Sequence, residues 1–344
     1  MKALPLLETA RAVPLPTYIQ LEPVGQCNLR CQMCPIQFRT DGPPHGPPAF
    51  MDFEMFERII DDLPTLRELH LQGLGEPMMH PRFFDMVRYA KARGITVTTN
   101  TNGTLLNERR AEECVSSGLD TLHLSLDGAS PETYEHIRAR AHFDRVLRNL
   151  DHLLRARRRD EERHPRLRLV MVIMRQNLHE LPELVRLAHG KSIETMFVQH
   201  LCHDFGESSL PAHYAPMRAF VQSQTLLGED PVRVARYFDE AAAVAATLGV
   251  DLRLPRPEVR PHAAGTPGRE RCDWPWHGPY ISYQGYSMPC CMIATPDRYN
   301  FGSVRDRSVA EVWNGEDYMA FRAQLESDIP PEICHSCAVY NGTF

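Results

Sequence analysis

Cys27, Cys31 and Cys34 stand in the run Gly25-Gln26-Cys27-Asn28-Leu29-Arg30-Cys31-Gln32-Met33-Cys34-Pro35, with three and then two residues between them. Thiolate is the ligand that iron–sulfur clusters use. Three thiolates on one short loop could hold three irons of a four-iron cubane and leave the fourth open, much as a catalytic metal keeps a vacant position. A zinc site completed by a distant fourth ligand is compatible with the same spacing. A second set lies toward the other end of the chain. Cys272 and Cys290 are separated by seventeen residues that include Gly285, and Cys334 and Cys337 form a Cys-x-x-Cys pair. These four could close a tetrahedral zinc site or bind every iron of a cubane, and spacing does not choose between the two. Ten cysteines in a secreted chain would suggest disulfides; clustered cysteines in a reducing compartment are read as metal or redox ligands.

The elements that must position these residues follow a regular alternation. Residues 18–23, 68–72, 96–99, 121–126, 167–173 and 194–199 carry strand patterns, and residues 51–63, 81–93, 108–117, 143–158 and 178–188 carry helical ones. Six βα-type units predict a parallel sheet with right-handed crossovers, either doubly wound or curled into a barrel. Polar groups cluster where the strands end: Gln72 to Pro77 after the second, Asn100 to Thr104 after the third, and Ser125 to Gly128 after the fourth. Parallel βα folds build their sites on that face. After residue 200 the pattern becomes helix-rich (215–248). A short strand (251–254) and a proline-rich linker (255–267) follow, where helices do not easily continue. The expected division is 1–200, 201–257 and 258–344.

The first cysteine spacing resembles the signature of the radical S-adenosylmethionine (SAM) superfamily. That resemblance, carried by Cys27, Cys31 and Cys34 and by the strand-end segments across residues 18–200, implies a partial (β/α)6 TIM-like barrel. It also implies that SAM chelates the open iron of a 4Fe-4S cluster, and that its reductive cleavage gives a 5′-deoxyadenosyl radical that removes a substrate hydrogen atom. Gly75, Glu76 and Pro77 stand where the superfamily has a motif for the SAM amino group, although Leu74 departs at its first glycine. Asn100 and Asn102 match positions near the SAM ribose and carboxylate, and Ser125 and Asp127 match positions facing the cofactor. Met33 replaces a residue that is often aromatic, so the adenine contact becomes thioether packing. The later cysteines, Cys272-x12-Gly285-x4-Cys290 followed by Cys334-x-x-Cys337, resemble the auxiliary-cluster module called SPASM in its long form and Twitch in its short one. Residues 300–304 and 309–314 resemble the strand and helix that join its halves. With seven residues after Cys337, the short form fits, implying one auxiliary 4Fe-4S cluster, fully ligated and suited to electron transfer.

Catalytic candidates gather after the sixth strand in Gln199-His200-Leu201-Cys202-His203-Asp204. Cys202 could return a hydrogen atom to a carbon radical. His200, His203, Asp204 and Glu207 could accept a substrate proton; a solvated polar loop and a merely nearby cysteine are the plain readings. Cys291 is read as a packed thiol or surrogate ligand, Cys114 as core, and the Pro/Gly-rich run 41–48 as an exposed loop. Dehydrogenases of aminocyclitol alcohols share this layout, which implies oxidation of a small polar substrate with the auxiliary cluster as electron acceptor. The alternative is a peptide-modifying maturase or epimerase with a cysteine hydrogen donor. Only 26 residues precede Cys27, too few for an N-terminal leader-binding module. A zinc- or cluster-stabilised scaffold is the non-catalytic alternative. The expected electron donor is of the flavodoxin or ferredoxin type. A net charge of −6 gives no footprint for nucleic acid or an anionic membrane, and no apolar run is long enough to span a bilayer, so a cytoplasmic location is expected.

Overall fold

The computed structural model describes residues 12–40, 49–159, 164–201, 205–260, 262–263, 265–293 and 295–343. Its main sheet has nine strands. Seven lie side by side in chain order, each parallel to the next: β1 (Tyr18–Leu21), β2 (Glu68–Leu71), β3 (Thr96–Thr101), β4 (Thr121–Ser125), β5 (Arg166–Ile173), β6 (Thr195–His200) and β7 (Asp251–Arg253). Every crossover steps the same way, so right-handed connections put the helices on one face and leave the other to be enclosed. A doubly wound sheet would reverse its strand order partway. On the far side of β1, a hairpin of β8 (Tyr280–Ile281) and β9 (Ser287–Met288) joins the same sheet, β8 parallel to β1 and β9 antiparallel to β8. Among the described residues no ladder joins β9 to β7, so the barrel is partial.

Strand alternation decides what each face holds. Ile19, Leu21, Leu69, Leu71, Val97, Leu122, Leu124, Leu169 and Met171 are fully buried in the main apolar core with the helices. Their period-2 neighbours Gln20, His70, Thr98, Asn100, His123 and Ser125 take the opposite face. The helices supply matching stripes. In α1 (Phe53–Asp61), Met55, Phe56, Ile59 and Ile60 are buried, and Asp52 caps the start by accepting from the Glu54 N–H at 3.3 Å.

Two features add to the sequence-based expectation. The helix-rich stretch after residue 200, which ends in the 18-residue helix Pro231–Leu248, delivers β7 to the sheet, and β8 pairs with β1, so the sheet runs on through both expected divisions. A short helix, Pro131–Ile137, fills the expected gap after β4. Ser130 caps it by accepting from the Thr133 N–H at 3.2 Å, and Pro131 sits in its first turn. No described helix is long and apolar enough to cross a membrane.

One buried ion pair ties these parts together. Glu22, just past β1, takes Arg39 at 2.6 and 3.0 Å, and both side chains are fully buried. The same carboxylate accepts from the Leu74 N–H at 3.1 Å and the Tyr283 N–H at 3.3 Å. Removing one partner of such a pair leaves an uncompensated buried charge. Glu22→Ala should therefore lower unfolding free energy by about 3–5 kcal/mol in urea titration, and adding Arg39→Met should recover part of it. A Glu22→Ala loss too small to resolve would show that the pair does not anchor the fold.

Candidate active site and auxiliary cysteine cavity

A cavity of about 340 Å³ lies at the C-terminal ends of β1 to β6, with Gln20, Gln72, Asn100, Ser125, Val170 and Gln199 in its wall. Six adjacent strands in a flat sheet span about 24 Å. One cavity of this size can touch all six only because the sheet is curled.

Cys27, Cys31 and Cys34 line this cavity together with Met33. Arg30–Cys31 forms a two-residue antiparallel ladder with Arg138–Ala139, and the Cys34 N–H donates to the Cys31 carbonyl at 3.1 Å. The Cys27 sulfur accepts from the Leu29 N–H at 3.4 Å and from Asn102 Nδ2 at 3.7 Å, and Arg138 Nη1 approaches Cys31 Sγ at 3.9 Å. Burial pushes the Cys34 thiol up to about 12 and raises Cys27 and Cys31 as well. The metal-free loop therefore holds protonated thiols, and cluster assembly must displace those protons.

The residues expected to meet SAM divide into two groups. Gly75, Asn100, Asn102 and Ser125 are in the cavity wall. The side-chain oxygen of Asn100 is buried without a hydrogen-bond partner, an acceptor left open to a ligand. Glu76, Pro77 and Asp127 stand behind the wall. Glu76 is 2% exposed and its carboxylate is occupied: it accepts from Thr101 Oγ1 at 2.7 Å, the Asn102 N–H at 2.8 Å and the Met78 N–H at 3.3 Å. Burial raises its pKa and those donors pull the other way. It clamps the loop after β2 to the end of β3 and is not presented to an ammonium. Pro77 opens a short buried turn, Pro77–Met79. Asp127 pairs with Arg138 at 2.7 Å and accepts from the Val172 N–H at 2.8 Å.

Arg138, which does line the cavity, is the residue that sequence reasoning missed. The available signal was Ser130-Pro131, a helix start that would have ended a one- or two-turn helix just before it. The wall thus offers the three thiols of the cysteine loop and that of Cys291, a guanidinium, an unpaired amide oxygen and glycine backbone. That donor set fits an open-cornered cluster with an amino-acid-like ligand bearing a carboxylate.

Cys202, His203 and Asp204 lie outside the described residues. Of their neighbours, His200 is 1% exposed and in the wall, and its Nε2 donates to the Arg256 carbonyl at 2.5 Å, which makes Nδ1 the basic nitrogen. Burial lowers its pKa. Glu207 is not in the cavity wall; it pairs with Arg298 at 2.7 Å, and both side chains are at most 2% exposed. Cys114 is fully buried in the core.

The remaining thiols meet in a second, almost wholly apolar cavity. Cys272, Cys290, Cys334 and Cys337 line it with Trp274, Ile293, Phe321 and Leu325. Burial pushes Cys272 up to about 12 and raises Cys290 and Cys334 as well. Cys291 faces the first cavity, and Met292 lines both. Among the described residues no three of His, Cys, Asp or Glu converge tightly enough for a single metal ion. Sulfurs around one tetrahedral zinc would be about 3.8 Å apart. Thiols on separate irons of a cubane stand farther apart.

The family model for the radical SAM superfamily matches residues 21–188, and one described as an iron–sulfur cluster-binding domain, SPASM, matches residues 272–338. The chain is 27% identical over 342 residues to a tungsten-containing aldehyde ferredoxin oxidoreductase cofactor-modifying protein of Pyrococcus furiosus, covering 94% of this chain and 87% of that protein. It is 26% identical over 339 residues to the PqqA peptide cyclase of Ruegeria pomeroyi, covering 96% and 82%. Among solved structures, SuiB of Streptococcus suis bound to S-adenosylmethionine superposes with a TM-score of 0.67 at 15% identity, covering 95% and 72%. Native anSMEcpe with bound AdoMet gives 0.64 at 16%, covering 95% and 88%. At these identities the likeness is one of fold.

Gly75 sets how closely the loop after β2 approaches the cysteine loop. A Cβ there would lie 2.0 Å from the Val24 carbonyl oxygen and 2.5 Å from that of Gln26. Gly75→Ala should cost about 1–3 kcal/mol of stability and reduce iron retained by anaerobically reconstituted protein in which the four later cysteines are serine. Wild-type iron content in that background would show that the contact can relax.

Proposed function

Because the chain belongs to the radical SAM superfamily and carries a SPASM module, and so binds a four-iron cluster with SAM and auxiliary iron–sulfur, we propose that it oxidises its substrate through removal of a hydrogen atom. In this reading Cys27, Cys31 and Cys34 hold the cluster that works with SAM, and Cys272, Cys290, Cys334 and Cys337 enclose an auxiliary one. When bound, the first supplies the chemistry that takes a hydrogen atom from a C–H bond, and the second supplies a one-electron acceptor. The observation that carries the reading is the shared wall: Cys290 lines the second cavity, Cys291 the first, and Met292 both.

The chain's own residues do the rest. Arg138, oriented by Asp127, provides the cation for the carboxylate of SAM beside Cys31. Gly75 backbone, Asn100, Asn102 and Ser125 supply neutral polar contacts around it. His200, held through Nε2 by the Arg256 carbonyl, takes the substrate proton at Nδ1. Among the described residues no Asp or Glu lines the cavity. A small polar molecule is the first reading of that substrate. A peptide is the second, favoured by the peptide cyclases among the named relatives. We place the protein in the cytosol, served by a ferredoxin- or flavodoxin-class donor, because thiols that are to ligate a cluster need a reducing compartment.

Reduced protein, SAM and candidate alcohols or peptides should give a product two mass units lighter. A product of unchanged mass in H₂O that gains deuterium from D₂O would sink the oxidative reading. The pH profile provides a second test. Since burial lowers the His200 pKa, its neutral, proton-accepting form persists as pH falls below the ordinary histidine range near 6.5. The rate should hold down to that point and fall only below it. His200→Gln should lose that acidic limb along with about 10²–10⁴-fold in rate; an unchanged profile would remove His200 from the mechanism.

A further inference from the structure

The segment 205–208, two-faced, connects the two cavities. Phe205 is in the wall of the first cavity. The next three residues are all attached to the C-terminal module. The Gly206 N–H donates to Ser336 Oγ at 3.1 Å, Glu207 pairs with Arg298 at 2.7 Å, and the Ser208 N–H donates to Glu332 Oε1 at 2.6 Å. Ser336 lies between Cys334 and Cys337, and Glu332 two residues before Cys334. Arg298 also stacks over the Phe205 ring at 4.6 Å and donates to the carbonyls of Met292 and Ile293, both in the auxiliary cavity wall. There is no slack at Gly206, where a Cβ would lie 2.4 Å from Ser336 Oγ. From the barrel side, Arg218 holds the Phe205 carbonyl at 2.6 Å.

We propose that Ser336 and Glu332 are positioning residues through which the state of the auxiliary cysteine site sets the place of Phe205 in the substrate cavity. Apart from Ile333, which packs into the core, the turn that carries them is held by bonds within its own segment: the Cys334 N–H reaches the Pro331 carbonyl at 2.8 Å, the His335 N–H the Glu332 carbonyl at 3.0 Å, the Cys337 N–H the Cys334 carbonyl at 3.2 Å and Asn341 Nδ2 the His335 carbonyl at 3.0 Å. Ligation of Cys334 and Cys337 therefore fixes two acceptors for the 205–208 segment. Loss of that ligation releases them. Coupling of this kind is reciprocal, so a ligand that moves Phe205 also acts on the auxiliary site. The inference rests on the ligand assignment in the proposed function, and gives the module a role besides accepting an electron.

Hydrogen exchange reads the two amides directly. In full-length, anaerobically reconstituted protein, Gly206 and Ser208 should exchange slowly. In Cys334→Ser/Cys337→Ser they should exchange about tenfold or more faster, while amides within β1 to β6 keep their rates. Ser336→Ala/Glu332→Ala, with every cysteine present, should show the same acceleration at full iron content. It should also leave SAM cleavage in the absence of substrate unchanged. Unchanged iron in the cysteine variant would overturn the ligand assignment and this inference with it. Lost iron with unchanged exchange, or no acceleration in Ser336→Ala/Glu332→Ala, would overturn this inference alone. Neither depends on the mass of the product.

Discussion

A single buried carboxylate, that of Glu22, is the point on which three loops depend. A charge with no access to water must be compensated where it stands. Arg39 supplies the charge, from just beyond the cysteine loop; Leu74 and Tyr283 supply backbone N–H groups, from the loop after β2 and from the auxiliary hairpin. None of these partners can withdraw without leaving the carboxylate unsatisfied. Their mutual placement puts the first cysteine loop, the glycine-bearing loop and the C-terminal module around one cavity. Gly73 belongs to the same packing, since a Cβ there would fall 2.2 Å from the Glu22 side chain.

Around that anchor the polarity of the sheet is arranged for a ligand. Apolar strand residues face the helices, where burial of their surface stabilises the fold. The enclosed face carries amides, hydroxyls and histidines. Below the cavity, His70 bridges Thr98 and Gln72 at 2.6 Å each, and burial lowers its pKa to about 4 and that of His123 to about 3. These rings are neutral at physiological pH. The barrel interior is thus polar but carries little net charge, which suits an arrangement whose charges arrive with the cluster and its ligand.

The C-terminal module is part of this site as much as an attachment to it. β8 extends the main sheet beside β1, Cys291 and Met292 complete the cavity wall, and Gly206, Glu207 and Ser208 after β6 are fastened to the module through Ser336, Arg298 and Glu332. Two thiol-lined cavities, one of mixed polarity, one apolar and lined by four cysteines, share Met292 in their walls. The electron transfer proposed above would cross that shared wall.

Much of this was legible in the chain. Cysteine spacing, the strand and helix periods, and the polar segments at strand ends depend on local order alone, and they led to the barrel, the two cysteine sets, and Gly75, Asn100, Asn102 and Ser125 on the wall. The helix Pro131–Ile137 left a readable signal in Ser130-Pro131, yet its consequence, Arg138 beside Cys31, did not. Pairing across 107 residues has no local trace. The same reason explains why Glu76 and Asp127, polar residues in the right segments, turn away from the cavity to clamp other loops, and why Glu207 is spent on Arg298 while His200 keeps a place in the wall. Residue types and spacing determined which chemistry this protein is equipped for. Only the folded structure decided which of those groups face the cavity, because buried polar side chains take whichever partners the packing of distant segments brings within reach.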